Sequence, residues 1–331
     1  MIKELTAENF KSLRDVKISC ERVNVFIGRP NSGKSNILEV IGLLSSGYHG
    51  SVERFVRLSG PYDLFFGRSL DRTAEIGFDL GKVIIESGAE GAKAWFEHRA
   101  GNGDPIRESF FDYKFHSTGP GRKDSFMTYR FYRFDSWEGE NNLQFLSPPG
   151  GGNLAMIVYS NAELRRLLQN IFSEYGLRLS VEARDYPSAS ATTHVLKVLH
   201  DTGDLTVSYS WSMVSDTLRR MVFFLAAVIT SKDCVLAFEE PEAHAFPYYT
   251  KFLAERIALD ESNQYFLATH NPYFLMSLLE KTPSKQLACF AVDLRENQTV
   301  VKRLTKKQIE EAMDGTEDVF LSVDKYFGES A

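Results

Sequence analysis

The chain has 331 residues, of which 43% are hydrophobic and 25% charged, and its formal net charge is −6. This length supports one large domain or two smaller ones, and the composition is ordinary for a soluble globular protein. No uninterrupted apolar stretch reaches ~18 residues, which excludes a membrane span. The net charge is negative, which excludes a global field that would attract DNA or anionic lipid.

The N-terminus lacks the apolar region of a signal peptide, so we expect a cytoplasmic protein. Cys20, Cys234 and Cys289 are odd in number and far apart, which predicts small buried side chains in a reducing compartment. Basic residues cluster within residues 11–17 and 302–307. Such clusters are typical of solvated surface charge, and a local patch for nucleic acid is the alternative.

The first elements in the chain are predicted strands. Residues 3–9 and 15–19 alternate in polarity, which predicts two strands joined by a turn. Residues 23–27 form a short apolar run rich in β-branched side chains, which suits a buried strand. Apolar residues then recur at helical spacing from Ile37 to Leu44, so a helix is predicted to begin at Lys34 and Ser35.

The strongest motif lies between that strand and that helix. Residues 28–35 read Gly-Arg-Pro-Asn-Ser-Gly-Lys-Ser, a complete G-x-x-x-x-G-K-[ST] phosphate-binding loop. Gly28 and Gly33 permit backbone angles closed to other residues, so successive N–H groups can turn around a phosphate. Lys34 supplies charge to the β- and γ-phosphates, and the Ser35 hydroxyl can ligate Mg²⁺. The predicted nucleotide-binding residues are Gly28, Arg29, Pro30, Asn31, Ser32, Gly33, Lys34, Ser35 and Asn36.

The middle of the chain is predicted to be β-rich, with one helix. Aromatic and β-branched residues from about 51 to 135 favour antiparallel strands at residues 76–80, 83–86 and 127–134. A Pro- and Gly-rich stretch at residues 148–153 indicates a loop. The elements predicted after it are a helix over residues 161–175, capped by Asn161, and strands near 177–184, 193–199 and 204–209.

The pattern changes after Ser215. Residues 221–229 are apolar without a polar face, which predicts a helix buried on all sides. A strand at 235–238, a helix at 244–258 and a strand at 265–267 then predict a parallel sheet. The predicted fold is α/β, a P-loop NTPase with a mostly parallel core sheet, an antiparallel β lobe and an inserted α+β subdomain. Its ATP-binding core is expected to combine residues 1–50 and 205–331, with residues 51–204 as the insert.

Two predicted strands end in residues suited to nucleotide chemistry. Ligands of open α/β sheets bind at the carboxyl ends of strands. Glu239 is therefore predicted to be the magnesium-side carboxylate, a position normally held by Asp, and Glu240 the general base that orients water. A neutral His270 is predicted to contact the γ-phosphate and accept a hydrogen bond from the attacking water. Solvated acids and a structural histidine are the alternative interpretations.

The order of glycine loop, Glu-Glu-Pro-Glu and Ala-Thr-His resembles the ABC-type ATPase heads of the SMC, RecF and OLD-like AAA ATPases. Residues 8–13, Glu-Asn-Phe-Lys-Ser-Leu, are similar to the N-F-[KR]-S start of that group, and residues 35–38 match after the loop. The resemblance covers residues 1–50 and 205–305 well and the insert loosely. It implies that Lys11 approaches the phosphates and that residues 242–247 form a loop on the dimer side.

In that group two heads sandwich ATP, and a signature motif of one head faces the γ-phosphate bound by the other. The resemblance places this motif at residues 214–220, with Ser215 at a helix N-terminus that favours an anion. The family usually has glycine where Thr217 stands, so the contact of this motif with the γ-phosphate is the part of the resemblance that the sequence matches least. An ordinary helix start at Ser215 is the alternative interpretation. No residue matches the glutamine loop of the family.

Several related functions are excluded by what the sequence lacks. The stretch between the two halves has no sustained heptad repeat, which excludes a long SMC-type arm. About 40 residues follow Phe290, so we expect no OLD-type nuclease domain in this sequence. The sequence has neither the L-S-G-G-[QE] signature of a transporter ATPase nor the N-K-x-D motif of a GTPase.

The sequence therefore predicts an ATPase head that binds ATP and Mg²⁺, hydrolyses ATP by water attack at the γ-phosphoryl group, and dimerises on ATP. It is expected to drive a separate effector protein or a nucleic-acid transaction. An occupancy switch with little turnover is the alternative, kept open by Thr217 and by glutamate at position 239. A weaker alternative is an ATP-dependent nuclease that uses Glu239, Glu240 and Glu242 on a second metal. DNA repair, phage defence and toxin control are all compatible with the sequence.

Overall fold

The computed structural model describes residues 1–88, 91–99, 103–112, 114–116, 123–134, 143–184, 193–313, 320 and 323–328. These residues fall into two compact units. The first unit comprises Met1–Phe131, Asp233–Glu240 and Ala254–Ala331, and the second comprises Tyr132–Lys232 and Pro241–Leu253. The predicted insertion of residues 51–204 into a split head stays a prediction.

The strands, in chain order, are β1 (Glu4–Phe10), β2 (Leu13–Ser19), β3 (Val23–Ile27), β4 (Ala74–Phe78), β5 (Gly81–Gly88), β6 (Gly91–Arg99), β7 (Pro105–Phe111), β8 (Tyr129–Tyr132), β9 (Leu177–Arg184), β10 (Thr193–Asp201), β11 (Thr206–Ser210), β12 (Val235–Glu239), β13 (Gln264–Ala268), β14 (Leu287–Arg295) and β15 (Gln298–Arg303). The α-helices are α1 (Lys34–His49), α2 (Lys123–Phe126), α3 (Leu154–Ser160), α4 (Ala162–Ser173), α5 (Asp216–Ile229), α6 (Pro247–Leu259), α7 (Pro272–Lys281), α8 (Lys306–Met313) and α9 (Val323–Tyr326).

The predicted parallel core sheet is confirmed. Its strand order is β15-β14-β3-β13-β12-β8, and β14, β3, β13 and β12 run parallel to one another, while β15 is antiparallel to β14. Every residue of β3 and of β13 is buried, because continuous apolar strands are stable when both faces of the sheet are covered. Glu239 pairs with Ala268, and Ala268 pairs with Phe26, so the carboxyl ends of three strands meet at one edge.

The predicted antiparallel lobe is also confirmed, although its strands differ from those expected. The sheet has the order β2-β1-β4-β5-β6-β7. Strands β6 and β7 were not predicted, and β6 alternates buried and half-buried residues as an antiparallel strand should. The strand predicted at residues 127–134 is confirmed over Tyr129–Tyr132, but it lies at the edge of the core sheet beside β12 and not in this lobe.

The second unit contains a three-stranded antiparallel sheet of order β11-β10-β9 together with α3, α4 and α5. Asn161 caps α4 as predicted, since its side-chain oxygen accepts a hydrogen bond from the Leu164 N–H at 2.9 Å. The predicted buried helix is confirmed in α5, where every residue from Met221 to Val228 is buried.

The start of α6 corrects another prediction. The helix begins at Pro247 and not at residue 244, and residues 241–244 form turns before it. Proline at the first helical position explains this start, because its fixed φ suits a helix and its missing N–H has no intrahelical partner there.

The cysteines are all free, and two of the three match the prediction of burial. Cys234 and Cys289 are buried, whereas Cys20 is half-buried. Burial raises the pKa of the Cys289 thiol to about 12, so this side chain is a neutral part of the core.

Among the described residues, no helix is both long and apolar enough to cross a bilayer.

Candidate nucleotide-binding site

The loop at residues 28–35 joins β3 to α1, which begins at Lys34 as predicted. Gly28 has φ +157° and Gly33 has φ +97°, angles that residues with a Cβ rarely adopt. The space around the Cα atoms of these two glycines is equally restricted. A Cβ on Gly28 would lie 2.1 Å from the carbonyl oxygen of Val292, and one on Gly33 would lie 1.9 Å from Oγ1 of Thr299. Both positions therefore require glycine for backbone conformation and for close approach.

Lys34 lies inside this loop with only 5% of its surface exposed. Its Nζ donates hydrogen bonds to the carbonyl oxygens of Gly28, at 2.8 Å, and of Arg29, at 2.7 Å. Burial lowers the pKa of Lys34 to about 8, while the carboxylates of Glu240 and Glu239 act in the opposite direction. The ammonium therefore stays mostly protonated at pH 7, and loop amides beside a buried cation fit a phosphate group.

A hydrogen-bonded set of side chains supports the loop from behind. Oγ of Ser12 lies 2.6 Å from Oγ1 of Thr299 and accepts a hydrogen bond from Nδ2 of Asn36, also at 2.6 Å. Oγ1 of Thr299 lies 3.2 Å from the carbonyl oxygen of Ser32 and donates to it. Asn36, predicted to bind nucleotide, thus connects the loop to residues distant in sequence.

The remaining loop residues differ in exposure and partners. Arg29, Pro30 and Asn31 are exposed. Arg29 pairs with Asp324 of α9 at 2.5 Å, and Asn31 adopts a left-handed φ of +62°. Ser35 is half-buried in the first turn of α1, where a hydroxyl can serve a cation bound with the phosphates.

The residues that follow β12 and β13 lie close together, because these two strands are parallel neighbours in the sheet. The Glu240 N–H donates to the Ala268 carbonyl oxygen at 3.0 Å, and Glu240 itself has a left-handed φ of +44°. Oε1 of Glu240 lies 3.5 Å from Nε2 of His270. The two predicted catalytic side chains are therefore neighbours, each partly exposed, with the charge of Lys34 close enough to act on both.

The charge state of His270 follows from its surroundings. Burial is the largest cause that lowers its pKa below the ordinary 6.5, and the Lys34 cation lowers it further, while Glu240 raises it. The ring is therefore neutral at pH 7 and can accept a hydrogen bond. Because the unfolded chain then binds more protons between the two pKa values, the stability that His270 contributes is lost as the pH falls below 6.5.

We expect two substitutions to move the His270 pKa in opposite directions. Lys34→Ala should raise it by removing a nearby cation, and Glu240→Gln should lower it by removing a nearby anion. Titration of the His270 ring by NMR measures both shifts, with the exposed His116 as an internal reference. Shifts of equal sign in the two variants would contradict this electrostatic arrangement.

Arg57 and Glu39 are part of the site, although neither was predicted. The Glu39 carboxylate is fully buried and binds Arg57 Nε at 2.6 Å and Lys11 Nζ at 2.5 Å. Arg57 also binds Oε1 of Glu239 at 3.1 Å, which holds the predicted metal carboxylate in place. A lone acid within the apolar run at residues 37–41 was the available signal, because buried carboxylates are almost always paired.

Lys11 was predicted to approach the phosphates, and the structure gives its ammonium two protein partners: the Glu39 carboxylate and, at 2.7 Å, the Arg57 carbonyl oxygen. Its contact with phosphate stays a prediction. We expect Lys11→Met to lower the free energy of unfolding by about 2–4 kcal/mol, since a buried carboxylate loses one cation. Lys17→Met is the matched control, because Lys17 pairs with Glu4 on the exposed surface. Equal urea midpoints for the two variants would refute this role.

Ser215 and Thr217 belong to the second unit. Oγ of Ser215 accepts a hydrogen bond from the Leu218 N–H at 3.4 Å and caps α5. Oγ1 of Thr217 donates to the His244 carbonyl oxygen at 2.6 Å. The predicted contact of Ser215 with a γ-phosphate stays a prediction.

The residues predicted for Mg²⁺ fit its chemistry when phosphate supplies the other ligands. A hydroxyl from Ser35 and a carboxylate from Glu239 are hard oxygen donors, and Mg²⁺ is usually bound by few protein groups together with phosphates and water. Within the described parts of the chain, no three His, Cys, Asp or Glu side chains group into a metal site of their own. The nuclease alternative, with Glu239, Glu240 and Glu242 on a second metal, stays a prediction.

Comparison with known proteins agrees with this site. Residues 23–277, well over half of the chain, match the family described as "AAA domain, putative AbiEii toxin, Type IV TA system". The chain belongs to this AAA family. The phosphate loop, both acidic residues and His270 of the AAA-family chain all lie within the matched range.

Curated relatives share a shorter region. The AAA-family chain is 51% identical over 98 residues to the DNA replication and repair protein RecF of Thermoanaerobacter sp. (strain X514), covering 26% of this chain and 27% of that protein. It is 40% identical over 78 residues to RecF of Caldanaerobacter subterraneus subsp. tengcongensis, covering 22% and 21%. The chain spans about a quarter of the length of these relatives.

Solved structures share the fold over nearly the whole chain. A structure of the Smc head bound to the C-winged helix domain of ScpA has a TM-score of 0.56 at 15% identity, covering 92% of this chain and 98% of that one. A Smc head with an extended coiled coil, bound to the C-terminal domain of ScpA derived from Pyrococcus furiosus, gives 0.55 at 14%, covering 96% and 99%. The predicted SMC- and RecF-like ATPase head is thereby confirmed as the fold of the AAA-family chain.

Proposed function

We propose that this AAA-family chain binds and hydrolyses ATP, dimerises around it, and drives or regulates a separate effector protein or a nucleic-acid transaction. The observation that carries the proposal is the neighbourhood of Glu240 and His270, 3.5 Å apart at the strand ends, in the electrostatic range of the loop lysine Lys34. Phosphoryl transfer needs a bound triphosphate, a positioned water and charge neutralisation, and these residues supply groups for each.

Binding is assigned to the loop and its neighbours. The backbone N–H groups of residues 28–35, to which Pro30 contributes none, and the Lys34 ammonium hold the β- and γ-phosphates. Ser35 and Glu239 hold Mg²⁺, which neutralises phosphate charge when bound. Arg57, which pairs with Glu239 at 3.1 Å and with the buried Glu39, fixes the position of the Glu239 carboxylate.

Hydrolysis is assigned to Glu240 and His270. Glu240 orients a water and takes its proton as the water oxygen bonds to the γ-phosphorus. The bond from that phosphorus to the bridging oxygen breaks, ADP leaves, and the proton passes on to solvent. The neutral His270 ring accepts a hydrogen bond from the same water. Positioning and electrostatic stabilisation supply most of the rate enhancement.

A nucleotide-occupancy switch is the second candidate function. Two features of Glu239 favour it: a glutamate stands where the family usually has Asp, and its carboxylate is paired with Arg57. In a switch, ATP would bind tightly and change a partner without measurable turnover. Thr217 occupies the position where the family signature usually has glycine, which is compatible with the same interpretation.

Dimerisation and effector contact are supported by surface chemistry and by analogy. Within the second unit, Phe246 is 67% exposed and Tyr248 is 58% exposed, just after the acidic strand. Exposed aromatic side chains are frequent in protein interfaces. The Smc heads of similar fold were solved bound to domains of ScpA, which makes a separate partner protein a reasonable expectation for this chain.

Steady-state phosphate release by the purified chain tests the proposal. We expect ATP turnover that requires Mg²⁺ and stops with EDTA. Tight ATP binding without phosphate release would favour the switch, and absence of ATP binding would overturn both functions. Pull-down from cells of the source organism with and without ATP then identifies the effector.

A further inference from the structure

The second unit contains a cavity of about 840 Å³ between α4, the end of α3 and strand β9. Val158, Leu179 and Val181 give it an apolar wall. The residues that line it include two arginines and no acid, and none of them belongs to the phosphate loop at residues 28–35. Its volume lies within the range of about 300–1,000 Å³ that is usual for small-molecule sites.

One face of α4 carries the cationic groups of this cavity. Ala162, Arg165, Arg166 and Gln169 all line it, and they recur at intervals of three and four residues along the helix. This spacing places their side chains on the same side of a helix. The arginines are therefore presented together, on a face of α4 that the proposed ATP site does not use.

The two guanidinium groups differ in their partners. Nη1 of Arg165 donates hydrogen bonds to the carbonyl oxygen of Val158, at 3.3 Å, and to that of Tyr159, both near the C-terminal end of α3. These bonds orient the Arg165 side chain beside the cavity. Arg166 is exposed and has neither an ion pair nor a hydrogen bond within the described part of the chain. A pre-oriented guanidinium next to an unpaired one suits a phosphate group, which guanidinium forks bind through two parallel hydrogen bonds.

An aromatic side chain lies at the same cavity. Tyr159 is 54% exposed, and its ring centroid lies 4.5 Å from that of His194, so the ring is supported by a neighbour while much of it remains accessible. Nucleobases stack on exposed aromatic rings of this kind with little preference for sequence. The amide of Gln169 offers a donor and an acceptor to the polar edge of a base.

We propose that this cavity binds a nucleotide, with the base on Tyr159 and the phosphate on Arg165 and Arg166. A nucleotide uses the aromatic ring, the apolar wall and the arginines at once, whereas an inorganic anion would use the arginines alone. A free nucleotide and a nucleotide within a single strand of nucleic acid share this chemistry, and the experiment distinguishes them. The inference goes beyond the proposed ATP hydrolysis and does not depend on it.

Thymidine 5′-monophosphate and an oligothymidylate of about 12 nucleotides are the probes, with binding measured by isothermal calorimetry. A monophosphate lacks the β- and γ-phosphates assigned to residues 28–35, so its binding reports on a different site. Arg166→Gln removes the unpaired charge, Tyr159→Leu removes the ring and keeps apolar bulk, and Tyr159→Phe keeps the ring.

Arg178→Gln is the matched control. Arg178 is an exposed arginine of β9 in the same unit, and it precedes the cavity residue Leu179, so its side chain lies on the other face of the sheet. Its ion pair with Asp201 is exposed and contributes little to stability. Urea unfolding of every variant checks that folding is retained.

We expect Arg166→Gln and Tyr159→Leu each to weaken probe binding about tenfold, while Tyr159→Phe and Arg178→Gln match the wild type. Binding of the monophosphate would identify a free nucleotide as a sufficient ligand, and binding of the oligothymidylate alone would identify single-stranded nucleic acid. Failure of both probes to bind, or equal affinity for inorganic phosphate or polyglutamate, would overturn the proposal. An equal loss in Arg178→Gln would overturn it as well, because binding would then follow surface charge in general. A failure of the proposed ATPase function would be seen separately, in phosphate release.

Discussion

Lys34→Ala is expected to weaken ATP binding and to lower turnover together, by about 100-fold or more in kcat/KM. The Lys34 ammonium lies inside the phosphate loop, hydrogen-bonded to loop carbonyls, and burial has already lowered its pKa to about 8. A phosphate would therefore meet a cation with little solvation left to lose, and removal of one such preorganised group costs about 10²–10³ in rate. Isothermal calorimetry with ATP and a phosphate-release assay measure the two effects.

Lys285→Ala is the control for that substitution, because Lys285 is an exposed lysine of the same unit, outside the loop. It should bind and hydrolyse ATP like the wild type. Normal turnover in the Lys34→Ala variant would show that the loop lysine is not part of the catalytic site, and the assignment of residues 28–35 would have to be abandoned.

Glu240→Gln is expected to separate ATP binding from hydrolysis. The substitution keeps the shape of the side chain and removes its ability to take a proton, so we expect kcat to fall about 10²–10⁴-fold with ATP still bound. If two heads close around ATP, the variant should accumulate as a nucleotide-bound dimer. Light scattering after gel filtration, with and without ATP and Mg²⁺, measures the mass of the particle.

Glu280→Gln, an exposed acid on α7, serves as the control and should remain like the wild type. A Glu240→Gln variant that stays monomeric at saturating ATP and Mg²⁺ would count against dimerisation around ATP. Undiminished phosphate release would exclude Glu240 as the base and leave His270 or another group to orient the water. Loss of hydrolysis in both Lys34→Ala and Glu240→Gln would exclude the pure occupancy switch.

Much of the site could be predicted because its signals are local in sequence. Three signals each combine an apolar run with a few chemically distinctive residues. They are the phosphate loop after β3, the acidic residues at the end of β12 and the histidine after β13. Parallel pairing of β12 and β13 then brings Glu240 and His270 to one edge without further information. The left-handed angles at Gly28 and Gly33 follow from the same motif.

What the sequence did not predict depends on contacts between distant residues. Nothing near Arg57 indicates that it would bind Glu39 and Glu239, because the pairing is created by the fold. In β6 the buried face carries the small residues Ala92 and Ala94, which weakens the hydrophobic alternation that identifies a strand. The apolar character of β8 was visible, but strand propensity does not say which sheet a strand joins.

The close approach of Gly33 to Thr299 has a consequence for how the protein is made. β3, which leads into the phosphate loop, is bordered by β13 and β14, and Thr299 of β15 lies against the loop itself. All three of these strands are encoded after residue 263, so a nascent chain that ends before them contains the complete phosphate loop without the strands that support it. A strand of a nascent chain can pair only after its partner strand has left the ribosome, and pairings between strands so far apart in sequence form late. The nucleotide site therefore matures only after residues 264–303 have been made, long after the phosphate loop itself.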